Sequence, residues 1–182
     1  MGKMNFFQER LGRYFLKSQV KKIKRKLSVS TFDTARNIAI IYYNANKLSV
    51  QKVENFAKNI VQSHAGITIS LLGFCGTDTK QVLKTGAFPN TFITKNDFTW
   101  YGAARNEALE KFIKTPFDIL IDLSMEQIFP LEYIVQLSQA TFKIGRLNQL
   151  LLYDFMIDVK NEENINYLIQ QISVYLPSLK QK

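Results

Sequence analysis

The chain has 182 residues, of which 46% are hydrophobic and 21% are charged. This composition excludes disorder of the whole chain, and the length is sufficient to bury a core without disulfides or a structural metal. Cys75 is the only cysteine and His64 the only histidine, so neither an internal disulfide nor a His/Cys metal site is expected. We expect a single domain that binds no metal and no cofactor, with Cys75 buried in it.

The sequence also carries no sign of membrane insertion. No apolar run approaches the roughly 18 residues that a spanning helix needs. The basic N-terminus is not followed by the apolar stretch of a secretory signal. A cytoplasmic location is therefore expected.

The positive charge is concentrated at the N-terminus. The formal net charge is +9, and residues 1–27 hold nine Lys or Arg and a single acid, which gives this segment +8. The rest of the chain is nearly neutral. Such asymmetry indicates an anionic partner for residues 1–27, either nucleic acid or an acidic membrane surface.

Residues 1–27 are predicted to form a basic helix, because their apolar residues recur at spacings of three and four. Three interpretations stay open. The helix could simply pack on its own domain, bind RNA, for instance on the ribosome, or lie on anionic lipid with its aromatic side chains at the headgroups. The residues expected to contact RNA phosphates or lipid headgroups are Arg10, Arg13, Lys17, Lys21, Lys22, Lys24, Arg25 and Lys26.

Polar residues 28–36 are expected to be a short linker, after which strands and helices alternate over residues 37–182. Apolar, β-rich runs predict strands, and stripes of period 3.6 predict helices. The expected strands cover 38–43, 67–74, 91–93, 117–123, 141–144 and 153–159; the expected helices start near 49, 103, 130 and 162. We also expect Ser49 to cap the first of these helices and Gly145 to form a turn. This order predicts one Rossmann-like three-layer α/β domain with a mostly parallel sheet.

Two resemblances bear on this prediction. The segments 118–124, 137–145 and 153–158, together with 94–102 and the basic opening helix, resemble an uncharacterised family from Bacteroidota, which implies no function. Residues 117–145 also resemble the N-terminal half of heptosyltransferase-type glycosyltransferases. Those enzymes need a second domain of similar size, and their Gly-Asp turn after the first strand is replaced here by residues 44–47. The resemblance therefore implies a single half without the chemistry.

No catalytic constellation is evident. The sequence lacks a dinucleotide-binding G-x-G-x-x-G, a P-loop and a G-x-S-x-G elbow. Asp118 and Asp122 flank one strand and lie roughly 13 Å apart, too far for a retaining carboxylate pair. Enzymatic activity is thus not expected. A small-molecule pocket at the strand ends, formed by Asn44, Phe74 and Asp122, remains a further alternative.

Two further features of the sequence are weaker signals. Glycines after the second strand predict a small anion pocket at Gly73, Gly76 and Thr77, although glycine is also the ordinary turn residue there. The aromatic residues Phe98, Trp100 and Tyr101 are expected to pack under the following helix; the alternative is a stacking platform for a base or sugar.

Overall fold

The computed structural model describes residues 6–44, 46–76, 88–99, 103–160 and 162–179. Six parallel strands form one sheet in the order β3-β2-β1-β4-β5-β6. The strands are β1 Asn37–Asn44, β2 Thr68–Cys75, β3 Asn90–Thr94, β4 Ile119–Asp122, β5 Phe142–Arg146 and β6 Phe155–Ile157. The α-helices are α1 Phe6–Val20, α2 Lys47–Ser63, α3 Glu107–Lys114, α4 Phe129–Leu137 and α5 Ile165–Tyr175, and 3-10 turns cover Lys95–Asp97 and Leu176–Ser178.

Helices cover both faces of the sheet. One apolar cluster joins α2 and α5 to the sheet, and a second joins α1, α3 and α4 to its other face. The strand order reverses direction between β1 and β4, where open α/β sheets form a crevice at their carboxyl edge. The predicted Rossmann-like three-layer architecture is confirmed, and every strand pair described is parallel.

The central strand β1 shows why the sequence selects this fold. Its residues from Ile38 to Tyr42 are all 0% exposed, because helices cover both of its faces. Such a strand requires a continuous apolar run rather than an alternating one. β1 pairs with β2 through Ile38 and Ile69, and with β4 through Ile38 and Ile119.

Several element ends differ from the sequence-based expectation. α1 ends at Val20 instead of continuing to residue 27. Asn46, not Ser49, caps α2: its side chain accepts a hydrogen bond from the Ser49 backbone N–H at 2.9 Å. Gly145 lies inside β5 rather than in a turn. In each case a tertiary or capping contact overrides the local pattern.

Residues 28–36, which the sequence predicted to be a linker, pack against the domain. Phe32 is 4% exposed and packs edge-on against Phe56 of α2, with ring centroids 6.4 Å apart. Ala35 is fully buried in the same cluster. The backbone N–H of Ser28 donates to the carbonyl of Thr141 at 3.2 Å. This segment is part of the packed body.

Cys75, which the sequence predicted to be buried, is buried at the end of β2 and forms no disulfide within the described residues. His64 is the C-terminal cap of α2 and pairs with Asp33, with Nδ1 and Oδ1 2.9 Å apart. Within the described ranges, no helix has the length and apolarity needed to cross a membrane.

Candidate functional site

The described part of the N-terminal basic segment, residues 6–27, is docked on the body; we call it the N-terminal extension. Leu16 is 2% exposed and enters the apolar cluster that α3 and α4 form over the sheet. Val20 and Ile23 pack partly against the same cluster. One apolar stripe therefore fixes the extension to the domain, and this docking leaves all three interpretations open.

Two arginines, one within α1 and one after it, pair the extension with acids of the body. Arg13 Nη1 lies 2.6 Å from Glu132 Oε2 of α4, and its guanidinium stacks 5.4 Å above the ring of Phe129. Arg25 donates from Nη2 to Asp154 Oδ1 at 2.5 Å and from Nη1 to Asp154 Oδ2 at 2.9 Å. A planar guanidinium suits such two-point binding of a carboxylate. Both arginines had been expected to contact an anionic partner, and the structure instead occupies them within the molecule.

The lysines of the extension point outward, and we call them the lysine surface. Burial alternates after α1: Ile23 and Arg25 are half-buried, and Lys24 and Lys26 are exposed. None of the lysine-surface residues forms an ion pair with an acid in the part of the chain that the structure describes. Arg10 is exposed as well. The lysine surface consists of Lys17, Lys21, Lys22, Lys24 and Lys26.

The second cluster of polar groups lies at the carboxyl edge of the sheet. Asp122, the last residue of β4, is 4% exposed. Its Oδ2 accepts a hydrogen bond from the Tyr153 hydroxyl at 2.8 Å, and its Oδ1 accepts one from the Ser124 backbone N–H at 2.8 Å. Burial raises the pKa of Asp122, and the hydrogen bonds from Ser124 and Tyr153 and the nearby Arg146 oppose that shift. Burial and the adjacent Asp122 raise the pKa of the Tyr153 hydroxyl.

Gly145 makes the Asp122–Tyr153 contact possible. A Cβ at Gly145 would lie 2.5 Å from the Tyr153 ring, so only glycine lets the ring lie against β5. The ring then directs its hydroxyl to Asp122 at the end of the neighbouring strand. The same rule explains Gly73 and Gly76, where a Cβ would come within 2.9 Å of Tyr42 and 2.5 Å of Tyr43. Those two glycines accommodate aromatic rings.

A narrow cleft of about 10 Å³, with room for roughly one water molecule, lies beside this contact. It is bordered by the ends of β4 and β5 and by the first turns of α4. Glu132 has a side chain that is only 5% exposed, and its Oε1 has no hydrogen-bond partner among the described residues. The polar residues that line the cleft are Asp122, Ser124, Glu126, Gln127, Glu132, Arg146, Asn148 and Tyr153.

Of the three residues expected to form one pocket, Asp122 lines the cleft, and Asn44 and Phe74 are not among its lining residues. Asn44, at the end of β1, donates to Cys75 Sγ at 3.4 Å. Phe74 is 6% exposed and packs on Tyr43 with ring centroids 6.3 Å apart. Asn44 and Phe74 thus belong to the β1–β2 side of the edge, while the cleft lies between β4 and β5.

Lys143, in β5, is a buried cation that the sequence analysis did not assign to any role. It is 3% exposed, and its Nζ donates to the Val135 carbonyl of α4 at 2.6 Å. The pKa of Lys143 is lowered to about 8, mainly by burial and also by the positive charge of Arg25, while the negative charge of Asp154 acts in the opposite direction. The strand residue is therefore linked electrostatically to the arginine that anchors the extension.

The structure describes only some of the other residues that the sequence singled out. Phe98 is 5% exposed and packs edge-on against Tyr133 of α4, so it is a core residue. Thr77, Trp100 and Tyr101 lie outside the described residues. Across the described ranges, no group of three or more His, Cys, Asp or Glu side chains is placed to hold a metal ion.

Comparison with known proteins assigns a family and a fold. Residues 8–179 match the Family of unknown function (DUF6913), so the chain belongs to that family. A search of curated proteins found no match. Among solved structures, the chain is similar to E. coli heptosyltransferase WaaC with ADP-2-deoxy-2-fluoro heptose, at a TM-score of 0.50 and 10% sequence identity. The match covers 79% of this chain and 50% of that one, so this chain spans half the length of that enzyme.

Proposed function

We propose that this member of the DUF6913 family is a non-enzymatic binding protein that holds RNA on its lysine surface. The observation that carries the proposal is the exposure of five lysines on one short segment, with no ion pair to an acid in the described chain. Ammonium groups held close together without internal partners gain free energy by neutralising phosphates and releasing counterions.

The docking of the extension supports this proposal, because it makes the lysine surface part of a rigid body. Lys24 and Lys26 flank Arg25, which is fixed on Asp154, and Lys17 follows the buried Leu16 in α1. Phosphate contacts made from an ordered backbone require less ordering on binding than contacts made from a flexible arm. In this arrangement the Rossmann-like domain holds the lysine surface in a fixed position.

Binding to an anionic membrane is the second candidate, and exposed apolar side chains favour it. Tyr14 is 73% exposed, Phe15 42% and Leu27 60%, and all three lie in the extension beside the lysines. Aromatic and leucine side chains next to lysines are the composition of a segment that binds at the headgroup level. This candidate predicts that apolar substitutions weaken binding as much as charge substitutions do.

RNA binding is tested by fluorescence anisotropy of a labelled single-stranded RNA with the full-length chain over a salt series. If all five lysines contact phosphates of a single strand, the slope of log K against log [salt] should be about −3.5. Replacing all five with glutamine should bring the slope close to zero. Pelleting with ribosomes over the same salt series tests the ribosome-associated form of the proposal.

The matched control removes five positive charges elsewhere on the surface. Lys47, Lys58, Lys111, Lys114 and Lys160 are all exposed and lie on the body. Their exchange for glutamine lowers the net charge equally, so it should leave the salt slope almost unchanged. Equal loss of binding in both variants would show that only net charge matters, and absence of salt-sensitive binding in the parent chain would reject the proposal.

A vesicle-flotation experiment distinguishes RNA binding from membrane binding. The full-length chain is floated with vesicles of neutral phosphatidylcholine and with vesicles that contain anionic phosphatidylglycerol. RNA binding without flotation supports the first candidate. Flotation on the anionic vesicles alone, lost on substitution of Tyr14 and Leu27 by serine, supports the second. Deletion of residues 1–27 is a poor variant for either test, because it removes Leu16 from the core and leaves Glu132 and Asp154 without their arginine partners.

A further inference from the structure

The outward face of α1 carries an aromatic ring among the cations of the extension. Tyr14 is 73% exposed, and the exposed Lys17 and Lys21 follow it along the chain. Lys21 continues the turn of α1, because its backbone N–H donates to the Lys17 carbonyl at 3.4 Å. At about 100° per residue, the three side chains lie within roughly 60° of one another around the helix axis. The ring of Tyr14 therefore shares a face with two residues of the lysine surface.

The opposite face of α1 is covered by the domain. Leu16 is 2% exposed, and its place two residues after Tyr14 puts it about 200° away around the helix. Val20 packs partly against the same apolar cluster. Because the apolar stripe is buried in this way, Tyr14 lies between polar neighbours such as Lys17 and Ser18, which are both exposed. A helix that lies in a membrane surface buries a broad apolar face, so this placement favours a partner that accepts a single ring between cations.

A neighbouring ring supports Tyr14. Phe15 packs edge-on against it, with ring centroids 6.0 Å apart and ring planes at 77°. Phe15 itself is 42% exposed. Leu16, the next residue, fixes this turn of the helix in the core. A tyrosine has few rotatable bonds, and this one stands on a docked helix, so a ligand that stacks on it has little ordering to impose.

Exposed aromatic rings are scarce in the rest of the described chain. Tyr175, in the last turn of α5, is 48% exposed, and α5 contains no lysine or arginine. Phe98, which the sequence offered as part of a stacking platform, is a core residue that packs on Tyr133. The extension is therefore the place in the described ranges where exposed rings adjoin the lysine surface.

A ring beside ammonium groups matches the chemistry of an unpaired nucleotide. The base offers a π-face on which an aromatic side chain stacks, whatever the base, and the phosphate attracts the ammonium group. In a duplex the neighbouring base pairs cover these faces, and proteins contact mainly phosphates and 2′-hydroxyls. An exposed ring therefore adds affinity for a single strand and little for a duplex.

We propose that the extension selects single-stranded RNA, with a base stacked on Tyr14 and the adjacent phosphates on Lys17 and Lys21. This inference rests on the proposed RNA-binding function and adds to it the class of RNA and the residue that recognises an unpaired base. A duplex has the higher density of phosphates, so a surface that responded to charge alone would bind the duplex at least as well.

The test is fluorescence anisotropy of the full-length chain with three labelled probes: an unstructured RNA strand of about 12 nucleotides, its duplex, and an abasic strand of the same length. The parent chain should bind the RNA strand about tenfold more tightly than the abasic strand, because only the former has bases to stack. Tyr14→Leu should remove this difference and change binding of the duplex and the abasic strand by less than about twofold. Tyr14→Phe keeps the ring and should bind as the parent chain does. Tyr175→Leu, at an exposed tyrosine of the body, is the matched control and should have no effect.

The probes separate failure of this inference from failure of the proposed function. Salt-sensitive binding of all three probes that Tyr14→Leu leaves unchanged would overturn the inference and leave phosphate binding by the lysine surface in place. Absence of salt-sensitive binding to every probe would reject both. Flotation on anionic vesicles without RNA binding would also overturn the inference; in that case Tyr14→Leu, which keeps an apolar side chain, should preserve flotation.

Discussion

The inner and outer sides of the N-terminal extension carry the same sign of charge and use it differently. On the inner side, Arg13 and Arg25 contact carboxylates of the body and Leu16 enters the core. On the outer side, the five lysines of the lysine surface form no ion pair with an acid in the described chain. The +8 charge of residues 1–27 therefore includes two arginines that dock the extension on the body. The charges of the lysine surface are not used in this way and can interact with a partner.

The largest expected difference between the inner and outer sides of the extension is the cost of truncating a leucine on each side. Leu16→Ala should lower the free energy of unfolding by about 3 kcal/mol, because it leaves a cavity at a site that is 2% exposed. Leu27→Ala, at a site 60% exposed, should change it by less than about 0.5 kcal/mol. Urea denaturation measures both. Similar costs for the two substitutions would show that the extension is not docked as described.

The arginine anchor gives the next largest effect. Asp154→Ala should cost about 2 kcal/mol, because the fork of Arg25 and the Lys143 backbone N–H both lose their acceptor in a mostly buried place. Asp158→Ala is the control: it removes an exposed 3.6 Å pair with Lys160 and an exposed hydrogen bond from the Lys160 backbone N–H, so the loss should stay below about 1 kcal/mol. The measurement is again urea denaturation. An Asp154→Ala variant as stable as the control would rule out an anchoring role for Arg25.

Lys143 should make stability depend on pH. Its pKa in the folded state is about 8, below the ordinary 10.5, so in between the unfolded chain binds more protons than the folded one. The free energy of unfolding should therefore rise with pH through this window, by about 1–2 kcal/mol between pH 7.5 and 9.5. Lys143→Met should remove this rise, while exposed Lys160→Met should leave it. Denaturation at a series of pH values gives the difference.

The same measurement reports on the extension. Because the charge of Arg25 lowers the pKa of Lys143, Arg25→Gln should raise that pKa and move the rise in stability to higher pH. An unchanged profile would mean that Arg25 does not lie near Lys143 in solution.

The smallest effect is expected on the outer side. Replacing all five lysine-surface residues with glutamine should change the free energy of unfolding by no more than about 0.5 kcal/mol, because exposed charges without partners contribute little to stability. Relief of their mutual repulsion can make the change slightly favourable. Thermal and urea denaturation both measure it. A loss above about 1 kcal/mol would mean that these lysines support the fold, which would contradict the division between the two sides.

The sequence predicted the layers of the fold well, because buried parallel strands have a strong signature. The runs at β1, β2 and β4 are apolar throughout, and the helices between them have clear stripes. The family and the likeness to a heptosyltransferase also agree with the sequence-based resemblance. Local patterns were enough for these features because each depends on residues near one another in the chain.

The candidate sites were predicted less well, because they depend on residues far apart in sequence. Glu132 lies in the predicted helix after Pro130, and only the structure shows that Arg13, 119 residues away, covers one of its oxygens. Gly145 was interpreted as a turn residue, since sequence alone does not show that an aromatic ring eight positions later requires the missing Cβ. Asp122 was identified from its place at a strand end, which is a property of the topology itself.

The docking of the extension also has a consequence for how the chain acquires its structure. Arg13 and Arg25 precede their partners Glu132 and Asp154 by 119 and 129 residues. At synthesis rates of about 5–20 residues per second, an interval of roughly 6–26 s separates the making of each arginine from that of its acid. During that interval the helix that the cationic segment will cover has not been made, so closing the domain is left to residues translated long before their partners.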